Sequence, residues 1–308
     1  TPKPSSAASD VYKRQLLEMA FRFAESNADH NGIARTPIPG VTVVRETVPG
    51  AMQFAINRPL VALVLQGRKR VVMGDQTFEF GAGESLLITT DVPTVSEITT
   101  ANAAAPYVSI VLDLDIAILE SLVVELGAAP WAIGQAVRVD PTGPEVADCA
   151  RRLMGLLERP DSLRILQAQL LRELHYWLLT GEHAGAIRAL GVVDSHAQRI
   201  GRAVARIRED YAQVLHVEQL AAIAGMSIST FHEHFRSITS LTPIQLQKRF
   251  RLIEARRRLL SEGLMVAHAA HSVGYESVPQ FTRDYGRLFG MPPAREVRTV
   301  RLKQPLRA

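Results

Sequence analysis

A short motif occurs twice between His216 and Pro293, and it constrains the fold of this chain more than any other feature. Each copy contains an alanine-rich run, a glycine, a serine and then two aromatic residues four positions apart. Phe231 and Phe235 of the first copy correspond to Phe281 and Tyr285 of the second, which lie 50 positions later. The order predicts a short helix, a glycine turn and a second helix, which is the pattern of a helix-turn-helix.

The glycines and serines of both copies have a physical reason to stand where they do. Gly225 and Gly274 are placed to end the first helix of each copy, because glycine adopts a left-handed conformation at the least cost. Ser227 and Ser277 can then accept hydrogen bonds from the free N–H groups that open the next helix. We therefore predict that both serines are helix N-caps on the side that faces DNA.

The aromatic residues define one face of each second helix, and polar residues occupy the opposite face. Phe231, Phe235 and Ile238 follow helical spacing and are predicted to be buried. The opposite faces are predicted to enter a major groove of DNA. The candidate DNA-binding residues are Ser229, Thr230, His232, Glu233 and Arg236 in the first copy, and Gln280, Thr282, Arg283 and Arg287 in the second.

Positive charge is concentrated where the motif is repeated. Residues 194–308 contain 18 Lys and Arg against 10 Asp and Glu, whereas residues 1–193 contain 17 against 21. Such a split is typical of a nucleic-acid-binding region. For the arginine run Arg256–Arg258 two interpretations stay open: phosphate contacts, or an exposed helix face on which Glu254 pairs with Arg258.

Between the copies, Thr242 and Pro243 are suited to cap and begin a long helix. At this point the sequence resembles a known family. The segment from about 194 to 298 is similar to the DNA-binding domain of AraC/XylS-type transcription regulators. The resemblance is carried by Leu220–Ser227 (LAAIAGMS), Phe231–Phe235 (FHEHF), Glu254–Leu260 (EARRRLL), Val273–Ser277 (VGYES) and Phe289–Pro293 (FGMPP). Glu233 departs from the family, in which an arginine is expected at that position.

The first half of the chain has a different pattern. Short β-rich runs separated by Gly-containing turns predict a small sandwich or barrel. Gly74-Asp75 between two such runs predicts a hairpin. The runs are Thr42–Val48, Val61–Leu65, Arg68–Val72, Thr77–Phe80, Ser85–Thr89 and Val108–Leu112.

This half is also similar to part of a known family, the cupin-like N-terminal domain of some AraC-type regulators. Leu65–Arg70, Phe80–Glu84 and Arg172–Gly181 carry that resemblance, which extends the likeness over residues 35–298. The predicted fold class is therefore multidomain α and β. It combines an N-terminal cupin-like β-barrel or sandwich with helices and a C-terminal all-α domain with two helix-turn-helix motifs.

Helical spacing returns after Pro144, and two apolar faces follow. One contains Val146 and Leu153, and the other contains Leu166, Leu170 and Leu174. Both faces could cover the barrel, or they could form a homodimer interface. The predicted organisation is a leader and N-terminal helix (1–34), an effector or dimerisation domain (35–181), a linker (182–193), a DNA-binding domain (194–298) and a tail (299–308). Residues 1–15 have neither apolar periodicity nor the apolar core of a signal peptide.

Several kinds of site are disfavoured by the residues present. His30 is the only histidine in residues 1–174, which argues against a histidine metal site in the barrel. Gly81-Ala82-Gly83 lacks the third glycine of a dinucleotide fingerprint. Cys149 is interpreted as a buried thiol, with a redox sensor as the alternative. His232 and His234 diverge around a helix, so a metal site is not expected there.

The resemblance implies a sequence-specific DNA-binding transcription regulator, controlled by a small effector in the N-terminal domain. One alternative is a regulator whose N-terminal domain only dimerises, and another is a cupin-fold enzyme with a DNA-binding tail. We expect no catalytic residue, no cofactor, no metal and no membrane span, and a cytoplasmic location. The expected partners are double-stranded DNA, RNA polymerase, a small-molecule effector and a second copy of the chain. No effector-binding residue is assigned.

Overall fold

Strand-forming and helix-forming residues occupy different halves of the chain, as the sequence predicts. The computed structural model describes residues 6–50, 52–127 and 136–303. They fall into two units. One unit contains the residues up to Gly201 together with Ser237–Ser240, and the other contains Arg202–Arg236 and the residues from Leu241 onward. The first is rich in strands and the second is helical, which confirms the predicted fold class.

The first unit contains two antiparallel sheets. One has six strands in the order β1-β2-β9-β4-β7-β10, and the other has four in the order β3-β8-β5-β6. The strands are β1 Ile33–Arg35, β2 Val41–Glu46, β3 Gln53–Asn57, β4 Leu60–Gln66, β5 Arg68–Met73, β6 Gln76–Gly81, β7 Glu84–Ile88, β8 Val92–Thr100, β9 Tyr107–Asp113 and β10 Val137–Pro141.

The six strands predicted from the sequence correspond to β2, β4, β5, β6, β7 and β9, with shifted ends. The predicted hairpin is present, because Met73 pairs with Gln76 across Gly74-Asp75 and Gly74 has a φ of 65°. Four strands were not predicted. The longest of them, β8, pairs with both β3 and β5 and joins the small sheet together.

Helices cover the outer face of the six-stranded sheet. Val146 and Leu153 share a buried apolar cluster with Leu63 and Ile110 of the sheet, and Leu174 belongs to the same cluster. The predicted packing on the barrel is therefore present for these helices. They are α1 Ser6–Asn27, α2 Ile116–Leu126, α3 Pro144–Gly155, α4 Pro160–Thr180 and α5 Ala184–Gly191.

Three predicted segments differ from the structure. The helix α1 begins at Ser6, so part of the predicted leader is helical, and residues 1–5 lie outside the described residues. The predicted linker contains α5, whose Ile187 and Leu190 are buried. Its glycines suggested flexibility, but the apolar residues between them pack into the core. The last helix continues to Lys303, past the predicted start of the tail, and residues 304–308 are not described.

The second unit consists of short helices around one long helix. The long helix, α9, begins as predicted at Thr242, which forms a capping box with Gln245, and Pro243 occupies its first turn. The helices are α6 His196–Glu209, α7 Val217–Ile223, α8 Ile228–Thr239, α9 Pro243–Ser261, α10 Val266–Ser272, α11 Val278–Phe289 and α12 Pro293–Lys303. Within the described part of the chain, no helix has the length and apolar character that a membrane crossing needs.

Candidate nucleic-acid interface

The first helix-turn-helix consists of α7 and α8. Gly225 separates them with a φ of 61°, as the sequence predicts. The Oγ of Ser227 accepts a hydrogen bond from the backbone N of Thr230 at 3.2 Å, so the predicted capping is observed. Phe231 and Phe235 are fully buried. These features fix the start and the buried side of α8.

The second helix-turn-helix consists of α10 and α11. Gly274 has a φ of 86° at the turn between them. Ser277 is the N-cap of α11, and its Oγ accepts from the backbone N of Gln280. Phe281 and Tyr285 are fully buried and their rings are in contact. The two motifs therefore share one backbone plan, as their sequences indicate.

The structure places the predicted DNA-binding residues on the outer faces of α8 and α11. Arg283 is exposed and forms no ion pair with a described residue, which leaves its guanidinium available to a ligand. The exposed residues are Ser229, His232, Glu233, Arg236, Gln280, Arg283 and Arg287, and the half-buried ones are Thr230 and Thr282.

Arg251 of α9 connects both motifs. Its guanidinium donates to the carbonyl oxygens of Tyr211 at 2.6 Å and Gln213 at 2.8 Å, which precede the first motif. It also donates to the carbonyl of Gly274 at 2.9 Å, in the turn of the second motif. A Cβ at Gly274 would lie 2.1 Å from the carbonyl oxygen of Ala212, so the backbone there approaches closer than a side chain allows.

Helix α11 carries a buried carboxylate, that of Asp284, on its inner face. The side chain of Asp284 is only 6% exposed, and its Oδ1 lies 2.7 Å from the Nζ of Lys248 on α9. The hydroxyl of Tyr275 donates to the other oxygen at 3.4 Å, and burial raises the pKa of that hydroxyl with a further contribution from Asp284. The sequence did not single out Asp284, because nothing in its local pattern says that it faces inward.

The three arginines of the run Arg256–Arg258 on α9 form ion pairs with carboxylates of the same chain. Arg257 and Arg258 both bind Glu254, as the helix-face interpretation predicts for Arg258. Arg256 binds the buried Glu296 at 2.7 Å. Glu296 also accepts a hydrogen bond from the hydroxyl of Tyr285. Burial is the main cause that raises the pKa of this hydroxyl, and the hydrogen bond to Glu296 is the second. This run therefore holds α9 and α12 together, which weakens its interpretation as a phosphate-binding surface.

The first unit contains a buried polar cluster that sequence analysis missed. The Nε2 of His183 lies 2.8 Å from the Oγ of Ser85, and its Nδ1 lies 2.8 Å from Asp140. Burial lowers the pKa of His183, although the charge of Asp140 opposes the shift. The cluster joins the start of α5 to strands β7 and β10. Because Ser85 and His183 are 98 residues apart, no sequence pattern connects them.

Two further observations bear on the predictions of a buried thiol and of no metal site. Cys149 is fully buried, and burial raises the pKa of its thiol to about 12, which favours the structural interpretation over a redox sensor. Among the described residues, no three His, Cys, Asp or Glu side chains are grouped closely enough to hold a metal ion.

Comparison with known protein families gives two matches. The model of the AraC-type transcriptional regulator N-terminus matches residues 37–186, and a model of a helix-turn-helix domain matches residues 220–299. Together these segments cover β2 to β10 and, beginning within α7, both helix-turn-helix motifs.

Curated relatives are similar over shorter stretches. The RCS-specific HTH-type transcriptional activator RclR of Escherichia coli K12 is 34% identical over 107 residues, which is 35% of this chain and 38% of RclR. The virulence regulon transcriptional activator VirF of Yersinia enterocolitica is 26% identical over 155 residues, which is 49% of this chain and 55% of VirF. The chain thus spans about half or less of each of these relatives.

Among solved structures, wild-type ToxT from Vibrio cholerae strain SCE256 with a bound unsaturated fatty acid is similar with a TM-score of 0.55. The sequence identity is 11%, and the match covers 84% of this chain and 93% of ToxT. An apo form of ToxT gives a TM-score of 0.54 at 9% identity, over 86% of this chain and all of that one. At this identity the likeness concerns the fold.

Proposed function

We propose that this chain, which belongs to the AraC/XylS-type transcription regulators, recognises specific sequences by placing α8 and α11 in the major groove of one duplex. The observation that carries the proposal is the common plan of the two motifs. Each has a capped recognition helix with aromatic residues behind it and exposed polar residues in front. Arg283 is the candidate for base reading, because guanine presents two acceptors that fit a guanidinium. The chain would act in the cytoplasm, with RNA polymerase as a further partner.

The test is the salt dependence of DNA binding by the full chain. A protein that neutralises several phosphates should lose roughly a thousandfold in affinity between 50 and 200 mM salt. Titrating a duplex recovered by selection from random sequences measures this slope, and a scrambled duplex of equal length measures specificity. A flat salt response, or equal affinity for both duplexes, would contradict the proposal.

We further propose that the barrel interior holds a small effector. Lys69 pairs with Phe80 and Ile98, whose side chains belong to the interior cluster, so Lys69 faces the same way. Burial lowers the pKa of its amine to about 8, with Glu46 opposing the shift. Burial deprives the ammonium of part of its solvation, and a ligand that binds the amine would reduce that cost.

A thermal-shift screen of the full chain tests the effector proposal. Small carbonyl and carboxylate compounds should raise the melting temperature, and Lys69→Met should remove the response while the protein stays folded. If no compound class shifts the wild-type chain, the alternative that the domain only dimerises becomes the better interpretation.

We propose dimerisation through α4, with Leu166 of the predicted apolar face but without Leu174. Leu174 is 3% exposed and belongs to the core, so replacing it would unfold the domain. Ile165 and Leu166 are 69% and 44% exposed and are the apolar side chains available to a second copy. Ile165→Glu with Leu166→Glu should give a monomer of unchanged melting temperature. Light scattering that finds the wild type monomeric at micromolar concentration would contradict this.

A further inference from the structure

Asp284 occupies an unusual position for an acidic residue. It lies on α11, one residue after the exposed Arg283, yet its carboxylate points into the protein. A buried carboxylate is unfavourable unless charged or hydrogen-bonding groups surround it. Lys248 at 2.7 Å, the hydroxyl of Tyr275 at 3.4 Å and Arg287 at 3.8 Å supply those groups.

The two cations that Asp284 attracts are close to solvent. The side chain of Lys248 is 44% exposed and that of Arg287 is 78% exposed. Lys248 borders an open groove of about 790 Å³, which Ile244, Gln280 and Glu276 also line. Without the carboxylate, Lys248 has space to turn into this groove, and a cation that reaches a phosphate strengthens binding to any DNA sequence.

We propose that Asp284 is a specificity-determining positioning residue of the second motif. It anchors α11 to α9 through Lys248, and it holds the Lys248 ammonium back from the DNA backbone. The position of α11 on DNA then depends on contacts to base edges, which distinguish sequences. It depends less on phosphate contacts, which are the same for every sequence. The inference rests on DNA binding by α11, which is part of the proposed function.

The experiment compares Asp284→Asn with wild type in the full chain, on the selected duplex and on a scrambled duplex. We expect the variant to bind scrambled DNA about fivefold more tightly and the selected duplex with less than a twofold change, because the released Lys248 adds only a non-specific contact. The salt dependence should become steeper by about one unit for each cation that reaches a phosphate. Adding Lys248→Met to Asp284→Asn should remove one such unit.

Glu276→Gln is the matched control. Glu276 lines the same groove, is exposed and forms no ion pair with a described residue, so the control removes an equal charge without releasing a cation. Its salt slope and specificity should stay close to those of wild type. The melting temperature of each variant is measured in parallel to separate positioning from folding.

Three results would overturn the inference. In the first, Asp284→Asn matches wild type in specificity and salt slope. In the second, it weakens both duplexes equally and lowers the melting temperature. In the third, Glu276→Gln reproduces its effect. In each of these cases wild type still prefers the selected duplex, so the proposed function survives. A wild type with no preference would instead contradict the proposed function itself.

Discussion

The two helix-turn-helix motifs have the same backbone arrangement but carry different charged residues on the inner and outer faces of their second helix. In the first, Glu233 stands exposed on the reading face. In the second, Arg283 stands on that face and the acidic residue, Asp284, is buried against Lys248. The residues that repeat specify the helices and the turn, whereas those that do not repeat give the two copies different outer faces.

The largest expected effect concerns Arg251, which joins the two motifs. Arg251→Met should destabilise the helical unit by about 4 kcal/mol, because it leaves several carbonyl oxygens without their charged donor. Urea unfolding of the full chain followed by circular dichroism measures the change. Arg283→Met serves as the control, since Arg283 has no such partners. A loss below about 1 kcal/mol would show that the motifs do not depend on this residue.

The turn of the second motif should tolerate no side chain. Gly274→Ala should cost about 3 kcal/mol, because the added Cβ would meet the carbonyl oxygen of Ala212 in addition to the strain of a positive φ. Gly290→Ala is the matched control, since Gly290 has a φ of 77° with nothing near its Cβ position. It should cost about 1 kcal/mol. Equal midpoints in urea would contradict the close approach.

The difference between the reading faces can be tested directly. Arg283→Ala should weaken binding to the selected duplex by about 2 kcal/mol and relax preference at one base pair. Glu233→Ala should change affinity less, or raise binding to scrambled DNA, because the carboxylate repels phosphates. Selection from randomised sites with both variants measures this. Equal weakening on all sequences by Arg283→Ala would make that residue a phosphate contact.

The smallest expected effect lies outside both motifs. Burial lowers the pKa of His183 and of His175, so the unfolded chain binds protons more readily than the folded one. Stability should therefore be lost as pH falls below about 6.5, the ordinary histidine value. His183→Gln should reduce this loss, as measured by melting temperature between pH 7.5 and 5.5. An unchanged pH profile would indicate that His183 does not contribute.

The sequence predicts elements where one local pattern dominates. The turn glycines, the serine caps and the buried aromatics repeat at fixed spacing, and all are found. Strand β8 escapes prediction because polar Thr94 and Ser96 occupy interior positions and Pro93 interrupts the run. Helix α5 escapes because its glycines resemble those of a linker.

The candidate site can likewise be predicted only in part from the sequence. Exposure of Arg283 and Glu233 follows from helical spacing opposite the aromatic residues. The roles of Arg251 and Asp284 do not follow, because their partners lie up to 40 residues away in sequence. Whether a charged side chain on a helix faces solvent or a carbonyl cluster depends on tertiary packing, which no local pattern records.

The capped helix α9 also bears on the length of the DNA site. It contains 19 residues and is therefore about 28 Å long. Such a connection should hold α8 and α11 at a fixed spacing, and the paired recognition helices of helix-turn-helix proteins meet B-DNA about one turn, 34 Å, apart. The operator should thus tolerate few insertions between its two halves. One extra base pair between its two halves turns one half by about a tenth of a circle, and α9 cannot follow.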